Sequence, residues 1–170
     1  AMVRDGLLLR TSDESITLAV RDRGRVNALK NYETRDTLGE GNFGKVVLVV
    51  DKRSGAEYAM KVIKRPTKDV ERQMKVIRGE IEALERLRGM GGHPNIIALH
   101  EVIEQPDAIH LIMELATGSE LMEAIAARGT FSEVDAKDYM RRITQAVGFA
   151  HSAGVVHRDL KPENIQVTVS

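Results

Sequence analysis

The spacing of apolar residues along the chain alternates between two periods, and this alternation most narrows the folds it can adopt. Short β-branched runs separated by Gly, Ser or Pro recur before residue 64 and again after residue 95, a pattern typical of antiparallel strands. Between residues 67 and 88, and again after residue 118, apolar residues recur every three or four positions, which predicts amphipathic helices. We therefore predict an α+β fold, with one helix and five strands before the later helices. The predicted strands are residues 32–38, 45–51, 57–63, 96–103 and 108–115.

Polar residues mark where the helices of the second half should begin. Ser119 can cap a short helix that ends at Gly129. Ser132, with Asp135 three residues later, resembles a capping box in which Asp replaces the usual Glu or Gln. The helix that follows should end at Gly154, because glycine readily adopts the left-handed conformation that terminates helices.

Composition narrows the class of function. The 25 Lys and Arg residues balance 25 Asp and Glu residues, so the chain has no net charge to attract nucleic acid. It has no Cys, which excludes disulfides and Cys-ligated metals and fits a reducing compartment. No apolar run approaches the ~20 residues that a membrane span needs, and the first residues lack a secretory signal. We expect a cytoplasmic protein that does not bind nucleic acid; the oligomeric state is not indicated.

Residues 38–46, Leu-Gly-Glu-Gly-Asn-Phe-Gly-Lys-Val, contain the pattern GxGxxG, which has three interpretations. In a dinucleotide-binding domain the glycines lead into a helix whose amides hold the pyrophosphate. Here a β-branched run, residues 45–50, follows the glycines, so they join two strands instead. Such a glycine hairpin is either a flap whose backbone amides close over phosphates or a turn with a purely structural role.

A lysine and a glutamate are predicted to face each other. Alternation along the third strand places Lys61 on the same side as Ala59 and Ile63, so a buried ammonium group there would need a partner. Glu80 lies within the apolar stripe of the helix that follows. A buried pair would hold the ammonium group ready to bind phosphate oxygens. The alternative is that both side chains extend separately into solvent.

Residues 157–164, His-Arg-Asp-Leu-Lys-Pro-Glu-Asn, place a carboxylate, an ammonium group and an amide within one short loop. Phosphoryl transfer needs these groups: a base for the hydroxyl, a cation for the transferred group and a metal ligand. With GxGxxGxV, Ala-Met-Lys and the helix glutamate upstream in the same order, the chain resembles eukaryotic protein kinases over residues 32–167. The loop lysine is similar to that of serine/threonine kinases. Residues 93–97 and 113–121 most resemble the calcium/calmodulin-dependent group.

The resemblance implies an architecture and an activity. Residues 1–31 would be an N-terminal extension, with one apolar stretch at 16–20 that can form a strand. Residues 32–115 would be a complete kinase N-lobe and the start of the hinge, and residues 116–170 a partial, helical C-lobe. The implied activity is transfer of a phosphoryl group from Mg-ATP to a Ser or Thr hydroxyl of a protein. The alternative is a non-catalytic kinase-like protein that binds nucleotide or a partner kinase.

The resemblance also implies residue roles in the catalytic loop. Asp159 would be the catalytic base, Lys161 the residue that stabilises the transferred charge, and Asn164 a ligand of Mg²⁺. Arg158 would pair with a phosphorylated activation loop. We expect His157 to be a packed, hydrogen-bonded residue rather than a catalytic one.

A second group of residues is implied to surround ATP. The three glycines would cover the phosphates, and Lys61, held by Glu80, would contact the α- and β-phosphates. Met113 would be the gatekeeper beside the hinge, and Glu120 would contact the ribose. The implied nucleotide-binding residues are Leu38, Gly39, Gly41, Gly44, Val46, Ala59, Lys61, Glu80, Glu114, Ala116, Glu120 and Gln166.

The chain departs from the family pattern in two places. The motif DFG, whose Asp holds Mg²⁺, is absent, and no Asp follows Asn164 in these 170 residues, so we expect a fragment that is inactive alone. Gln166 stands where the family usually has an apolar residue under adenine. We also expect an exposed apolar patch on the helix over 132–153. Glu120 and Glu163 suggest a preference for basic residues in the substrate.

Overall fold

The computed structural model describes residues 28–41 and 44–167, in which a five-stranded antiparallel sheet and one helix precede two further helices. The sheet has the strand order β1-β2-β3-β5-β4, and the predicted α+β class is confirmed. Residues 1–27 of the predicted extension, including its possible strand at 16–20, lie outside the described residues, and residues 28–31 form a 3₁₀ turn. The strands are β1 (Tyr32–Gly41), β2 (Gly44–Asp51), β3 (Glu57–Lys64), β4 (Leu99–Glu104) and β5 (Ala108–Glu114), and the helices are α1 (Val70–Gly89), α2 (Leu121–Arg128) and α3 (Glu133–Ser152).

The fourth strand begins three residues later than predicted. Pro94 lies in the turn that precedes the strand, and the Ile96 amide donates to the His93 carbonyl oxygen at 2.9 Å, which closes that turn. Ile96 therefore packs with the end of α3 rather than extending the sheet, although its β-branched side chain is typical of strands.

Alternation along the strands gives the sheet two apolar faces. The inner face packs against α1 through Ile77, Ile81 and Leu84. The outer face, on the opposite side, packs against a 3₁₀ turn at Ala28–Asn31. Side chains of the outer face that cluster together are Val47, Val49, Met60, Ile103 and Ile112.

The last turns of α1 connect the sheet to the helical part of the chain. Ala83 and Leu87 pack against Ala153 and Val155, just beyond α3, and Arg86 Nη1 donates to the Ala153 carbonyl oxygen at 3.5 Å. Along α3 itself none of the 20 residues is buried, and Met140 is 59% exposed. The exposed apolar surface expected on this helix is therefore present in the structure.

One of the two predicted N-terminal caps is confirmed, and so is the predicted end of α3 at Gly154. Ser132 Oγ accepts a hydrogen bond from the Asp135 amide, as expected, and Gly154 has φ +70° just past α3. Ser119 does not cap α2. The cap is Glu120, whose carboxylate accepts from the Glu123 amide while the Glu123 carboxylate accepts from the Glu120 amide at 3.3 Å.

Two very short strands complete the fold. β6 (Ser119–Glu120) pairs antiparallel with β7 (Gln166–Val167), which places the start of α2 beside the end of the loop over 157–164. A second 3₁₀ turn, Pro162–Asn164, leads into β7. No described helix is long and apolar enough to cross a membrane.

Candidate active site

A buried ion pair joins the sheet to α1. Lys61 Nζ lies 2.6 Å from Glu80 Oε1, and the two side chains are 7% and 13% exposed. β3 positions the lysine because its alternation turns Lys61 toward α1, and the apolar stripe of α1 turns Glu80 toward the sheet. The pairing predicted from the sequence is confirmed, and the two side chains do not extend separately into solvent. An ammonium group fixed in this way can bind an anion on the inner face of the sheet.

The glycine-rich segment is a hairpin between two strands, as predicted, and not the start of a helix. Its strands β1 and β2 pair up to Gly41 and Gly44, with residues 42 and 43 outside the described part of the chain. Gly44 has φ +139°, and a Cβ there would lie 2.0 Å from the Val62 carbonyl oxygen. Gly44 is therefore required by the close approach of β2 to β3, whether or not the hairpin covers phosphates.

Several residues expected to surround the adenine ring of ATP lie on the inner face of the sheet. Val46, Ala59 and Met113 are buried there, and Leu38 is half-buried on β1. Register places three of them close together: Ala59 pairs with Met113 on β5, and Val46 on β2 pairs with Lys61, two residues after Ala59 on β3. The amide of Glu114 donates to the Ala98 carbonyl oxygen at 2.9 Å, so this amide is already used within the fold.

Two polar residues expected at the nucleotide site face each other across the β6–β7 pair. Glu120 is paired with Gln166, and the Glu120 residue is 9% exposed with its carboxylate engaged in the α2 cap. Sequence reasoning missed the supporting role of Glu123, although the i, i+3 spacing of the two glutamates signals a capping box. Gln166 Oε1 is buried without a hydrogen-bond partner in the described part of the chain. Such an atom destabilises the fold by about 1–3 kcal/mol unless a ligand satisfies it.

In the loop over 157–164, two polar side chains contact one carboxylate oxygen. Asp159 Oδ2 lies 2.9 Å from Lys161 Nζ and accepts from Asn164 Nδ2 at 3.0 Å. Asn164 Nδ2 also donates to the Asp159 backbone carbonyl oxygen at 2.7 Å, which fixes the two ends of the loop together. Arg158 has φ +61°, an uncommon left-handed conformation for a non-glycine residue, and it turns the chain sharply just before Asp159.

These contacts set the charge of the loop. The Lys161 ammonium group, and then the Asn164 amide, hold the pKa of the Asp159 carboxyl below its usual range, so Asp159 is ionised at neutral pH. Burial lowers the pKa of His157, against the opposing effect of the Asp159 carboxylate. His157 Nδ1 accepts from the Asp159 amide at 3.3 Å. His157 thus has the packed, hydrogen-bonded environment expected of a structural histidine.

Comparison with known proteins identifies the family to which this geometry belongs. A family model described as a protein kinase domain matches residues 32–169. The chain belongs to the protein kinase family. The paired Lys61 and Glu80, the glycine hairpin and the loop around Asp159 are thus elements of a protein kinase domain.

Individual relatives agree with this assignment. Myosin light chain kinase A of Dictyostelium discoideum is 42% identical over 138 residues, 80% of this chain and 44% of that protein. Calcium/calmodulin-dependent protein kinase type 1B of Homo sapiens is 42% identical over 134 residues, 79% of this chain and 37% of that protein. CBL-interacting protein kinase 24 of Oryza sativa subsp. japonica is 41% identical over 142 residues, which are 84% of this chain and 30% of that protein. This kinase chain thus spans less than half the length of each of these relatives.

One oxygen of the kinase site fits a divalent cation. Asn164 Oδ1 is buried and has no hydrogen-bond partner among the described residues, while its Nδ2 is held by Asp159. Mg²⁺ prefers oxygen ligands of this kind. Within the described residues no group of three or more His, Cys, Asp or Glu side chains is arranged to hold a metal ion. Among the described residues the site therefore fits Mg²⁺ through a single side chain, that of Asn164.

Two cavities in the described part of the kinase chain lie away from these groups. One, of about 140 Å³, lies beside the end of α1 and is lined in part by Leu84, Leu87 and His93. The other, more open and of about 280 Å³, is lined in part by Tyr58 and His100 on the far side of the sheet. Neither includes Lys61, Asp159 or Asn164, so the polar groups rather than an enclosed volume define the site.

Proposed function

We propose that this chain carries the nucleotide-binding and base-bearing part of an ATP-dependent serine/threonine protein kinase. The observation that carries the proposal is the loop in which Lys161 and Asn164 both hold Asp159 Oδ2, on a fold that also buries the Lys61–Glu80 pair. Phosphoryl transfer depends on positioned charges rather than on covalent chemistry by the protein, and this arrangement supplies them.

Each group has a defined task in this proposal. The backbone amides of the glycine hairpin and the Lys61 ammonium group bind the phosphates of ATP. Asp159 accepts a hydrogen bond from the substrate hydroxyl through its carboxylate and takes the hydroxyl proton as the new P–O bond forms. Lys161 stabilises the charge on the transferred group as ADP departs. Mg²⁺, when bound, neutralises phosphate charge, and Asn164 is the residue that would hold it.

The low pKa of Asp159 determines whether this residue acts mainly as a proton acceptor or mainly as a group that orients the substrate hydroxyl. A carboxyl whose pKa is held down by Lys161 and Asn164 is a weak base, so its main contribution is to orient the hydroxyl. This suits a loose transition state, in which the hydroxyl proton is lost late and alignment of the attacking oxygen matters most.

Substrate class and domain boundaries complete the proposal. The loop lysine and the named relatives favour Ser or Thr as acceptor. A preference for basic residues now rests on Glu163, because the carboxylate of Glu120 is buried in the α2 cap. We keep the boundaries proposed from the sequence: an extension over 1–31, an N-lobe over 32–115 and part of a C-lobe over 116–170.

A polypeptide of these 170 residues alone should not turn over. No Asp follows Asn164 within it, and the family holds Mg²⁺ on an Asp beyond that position. Its expected property is nucleotide binding through the hairpin and Lys61 without phosphoryl transfer.

The test is a radiolabelled ATP assay with Ser- and Thr-containing peptide libraries, using the protein as its gene encodes it. Asp159→Asn should reduce transfer by about 10²–10⁴-fold, the usual contribution of a positioned base. Asp138→Asn is the matched control, because Asp138 pairs with Arg141 and Arg142 on the surface of α3 and should leave activity unchanged.

Three results would contradict the proposal. The first is ATP binding without phosphorylation by the encoded protein, which would favour the non-catalytic alternative. The second is equal activity of the Asp159→Asn and Asp138→Asn variants. The third, for the fragment only, is Mg²⁺-dependent transfer by residues 1–170 that Asp159→Asn abolishes.

A further inference from the structure

The smaller of the two cavities, of about 140 Å³, lies where α1 ends and β4 begins. Its apolar lining includes Leu84, Leu87 and Leu99, each 7% exposed or less. Leu84 and Leu99 belong to the apolar cluster on the inner face of the sheet, whereas Leu87 packs against residues just beyond α3. The cavity therefore lies between two apolar clusters, and a ligand in it would contact both.

Two successive glycines explain why side chains do not fill this volume. Gly91 and Gly92 line the cavity in the turn after α1, with φ of +93° and +71°. At each position no atom lies within 4 Å of the place where a Cβ would be. A left-handed backbone at both positions favours glycine over any residue whose side chain could occupy the space.

The backbone of this turn is already hydrogen-bonded. The amides of Met90, Gly91 and Gly92 donate to carbonyl oxygens of the last turn of α1 at 3.0–3.1 Å. An apolar cavity without unsatisfied polar groups stays dry, and one of about 150 Å³ binds benzene. The body of a fitting ligand is therefore apolar and about the size of one aromatic ring.

The two polar side chains that line the cavity offer hydrogen-bond donors. Arg88 is exposed, and a guanidinium group can only donate. His93 Nδ1 accepts from the Asn95 amide at 3.1 Å, so the proton of the neutral ring is on Nε2, which donates. No Asp or Glu is among the described residues that line the cavity. The polar part of a ligand must therefore accept hydrogen bonds, and a carboxylate matches a guanidinium group best.

The charge of Arg88 is available to such a ligand. Burial raises the pKa of Glu85 and the Arg88 guanidinium group opposes this rise, yet the two side chains form no ion pair in the described part of the chain. The C-terminus of a helix carries partial negative charge, which disfavours anions, but Arg86 and Arg88 in the last turn of α1 offset it.

We propose that this cavity binds a small apolar carboxylate, with its ring or branched group between the two apolar clusters and its carboxylate on Arg88 and His93. None of the residues proposed for phosphoryl transfer lines the cavity, so the site is separate from the ATP site. The same chemistry is offered by a free aromatic acid and by the C-terminal residue of a protein. The experiment distinguishes these two sources.

The test is isothermal titration calorimetry of phenylacetate with the protein as its gene encodes it, without nucleotide. A ligand of about ten heavy atoms should bind here with a Kd of about 0.1–1 mM. Phenylacetamide and phenethylamine carry the same ring without the negative charge and should bind about tenfold more weakly, or less. Acetate, which lacks the ring, should give no measurable binding.

Arg88→Gln should weaken phenylacetate binding about tenfold and leave phenylacetamide binding unchanged, because it removes the charge opposite the carboxylate. Arg72→Gln is the matched control, since Arg72 is exposed on the first turn of α1 and does not line the cavity. It should change neither affinity. Circular dichroism of both variants checks that each is folded.

The shape of the cavity is tested separately. Ile97 lines the cavity and packs against the inner-face cluster, so Ile97→Ala should enlarge the space. The ratio of naphthylacetate to phenylacetate affinity should then rise about tenfold. Val76→Ala is the control on α1, because Val76 is 40% exposed and lies outside the cavity. It should leave the ratio unchanged.

An acetylated Gly-Gly-Phe peptide with a free C-terminal carboxylate identifies the source of the ligand. Tighter binding of this peptide than of phenylacetate would assign the site to the C-terminus of a protein, and weaker binding to a free acid. Four results would overturn the inference: no binding of phenylacetate, equal binding of the three ring compounds, equal effects of Arg88→Gln and Arg72→Gln, and an unchanged affinity ratio in Ile97→Ala.

Discussion

At the scale of single residues, Lys61 is the position where charge and burial conflict most. Its neighbours on the strand face are apolar, and its ammonium group has a counter-charge at 2.6 Å on a different element. Removing either partner would leave an uncompensated buried charge, which is more destabilising than the intact pair is stabilising. The ion pair is therefore a condition for α1 to pack as it does.

Glu80→Gln should lower the free energy of unfolding by about 3 kcal/mol, because it keeps the shape of the side chain but leaves the Lys61 charge unpaired. The measurement is urea denaturation followed by circular dichroism. Glu82→Gln is the control on the same helix and should change stability by less than about 0.5 kcal/mol. Equal effects would mean that Glu80 contributes no more than a surface charge.

Sequence reasoning succeeded for residues whose environment is set locally. Lys61 and Glu80 follow from strand alternation and helix periodicity, and the Ser132 cap follows from its spacing to Asp135. Ser119 was assigned wrongly, because it is in β6 and Glu120 takes the cap position next to it. The unpartnered oxygens of Asn164 and Gln166 could not be foreseen, since burial of one atom depends on contacts distant in sequence.

At the scale of elements, the glycine hairpin shows that one residue can serve two purposes. Gly44 lies where β2 approaches β3 so closely that any Cβ would overlap the Val62 carbonyl oxygen. This packing requirement holds with or without a bound nucleotide. Loss of function at Gly44 would therefore report on folding as well as on phosphate binding.

Gly44→Ala is expected to destabilise the sheet by about 3 kcal/mol or more, because the positive φ and the backbone overlap both oppose a side chain. Gly55→Ala is the matched comparison: Gly55 also has positive φ, +72°, but no atom within 4 Å of the added Cβ. It should lose only about 1–2 kcal/mol. Thermal and urea unfolding of both variants measure the difference, and equal losses would rule out the overlap as the cause.

Most elements were predictable because their periods differ. A period of two marks β1, β2, β3 and β5, and a period of 3.6 marks α1 and α3. The start of β4 was misplaced because the turn at Pro94 diverts Ile96, which the β-branched pattern alone does not reveal. β6 and β7 were missed because strands of two residues have no period, and the two pairs of partners, Ser119 with Val167 and Glu120 with Gln166, are 48 and 46 positions apart in sequence.

At the scale of the whole molecule, α3 presents an apolar stripe that the described residues leave partly open. Ala136, Met140, Ile143 and Val147 recur at helical spacing, and none of them is buried. The net charge of zero provides no long-range repulsion between copies. A polypeptide of these 170 residues should therefore associate with itself.

Met140→Lys should weaken this association about tenfold or more, since burying a Met side chain is worth about 1.5–3 kcal/mol. Val134→Lys is the control on the same helix, because Val134 is 77% exposed but lies off the stripe. Analytical ultracentrifugation of residues 1–170 and of both variants gives the dissociation constants. A monomer at all concentrations, or equal weakening by both substitutions, would contradict the prediction.

The hydrogen bonds between β6 and β7 also hold the two ends of the chain that connects them together. Glu120 pairs with Gln166, and the Leu121 amide donates to the Ile165 carbonyl oxygen at 2.8 Å. The residues between them form a loop whose ends are tied together. Extra length inserted at the exposed Gly129–Thr130 connection would thus enlarge the loop without moving its ends. That connection is therefore a suitable place to insert a fluorescent domain while Glu120 stays paired with Gln166.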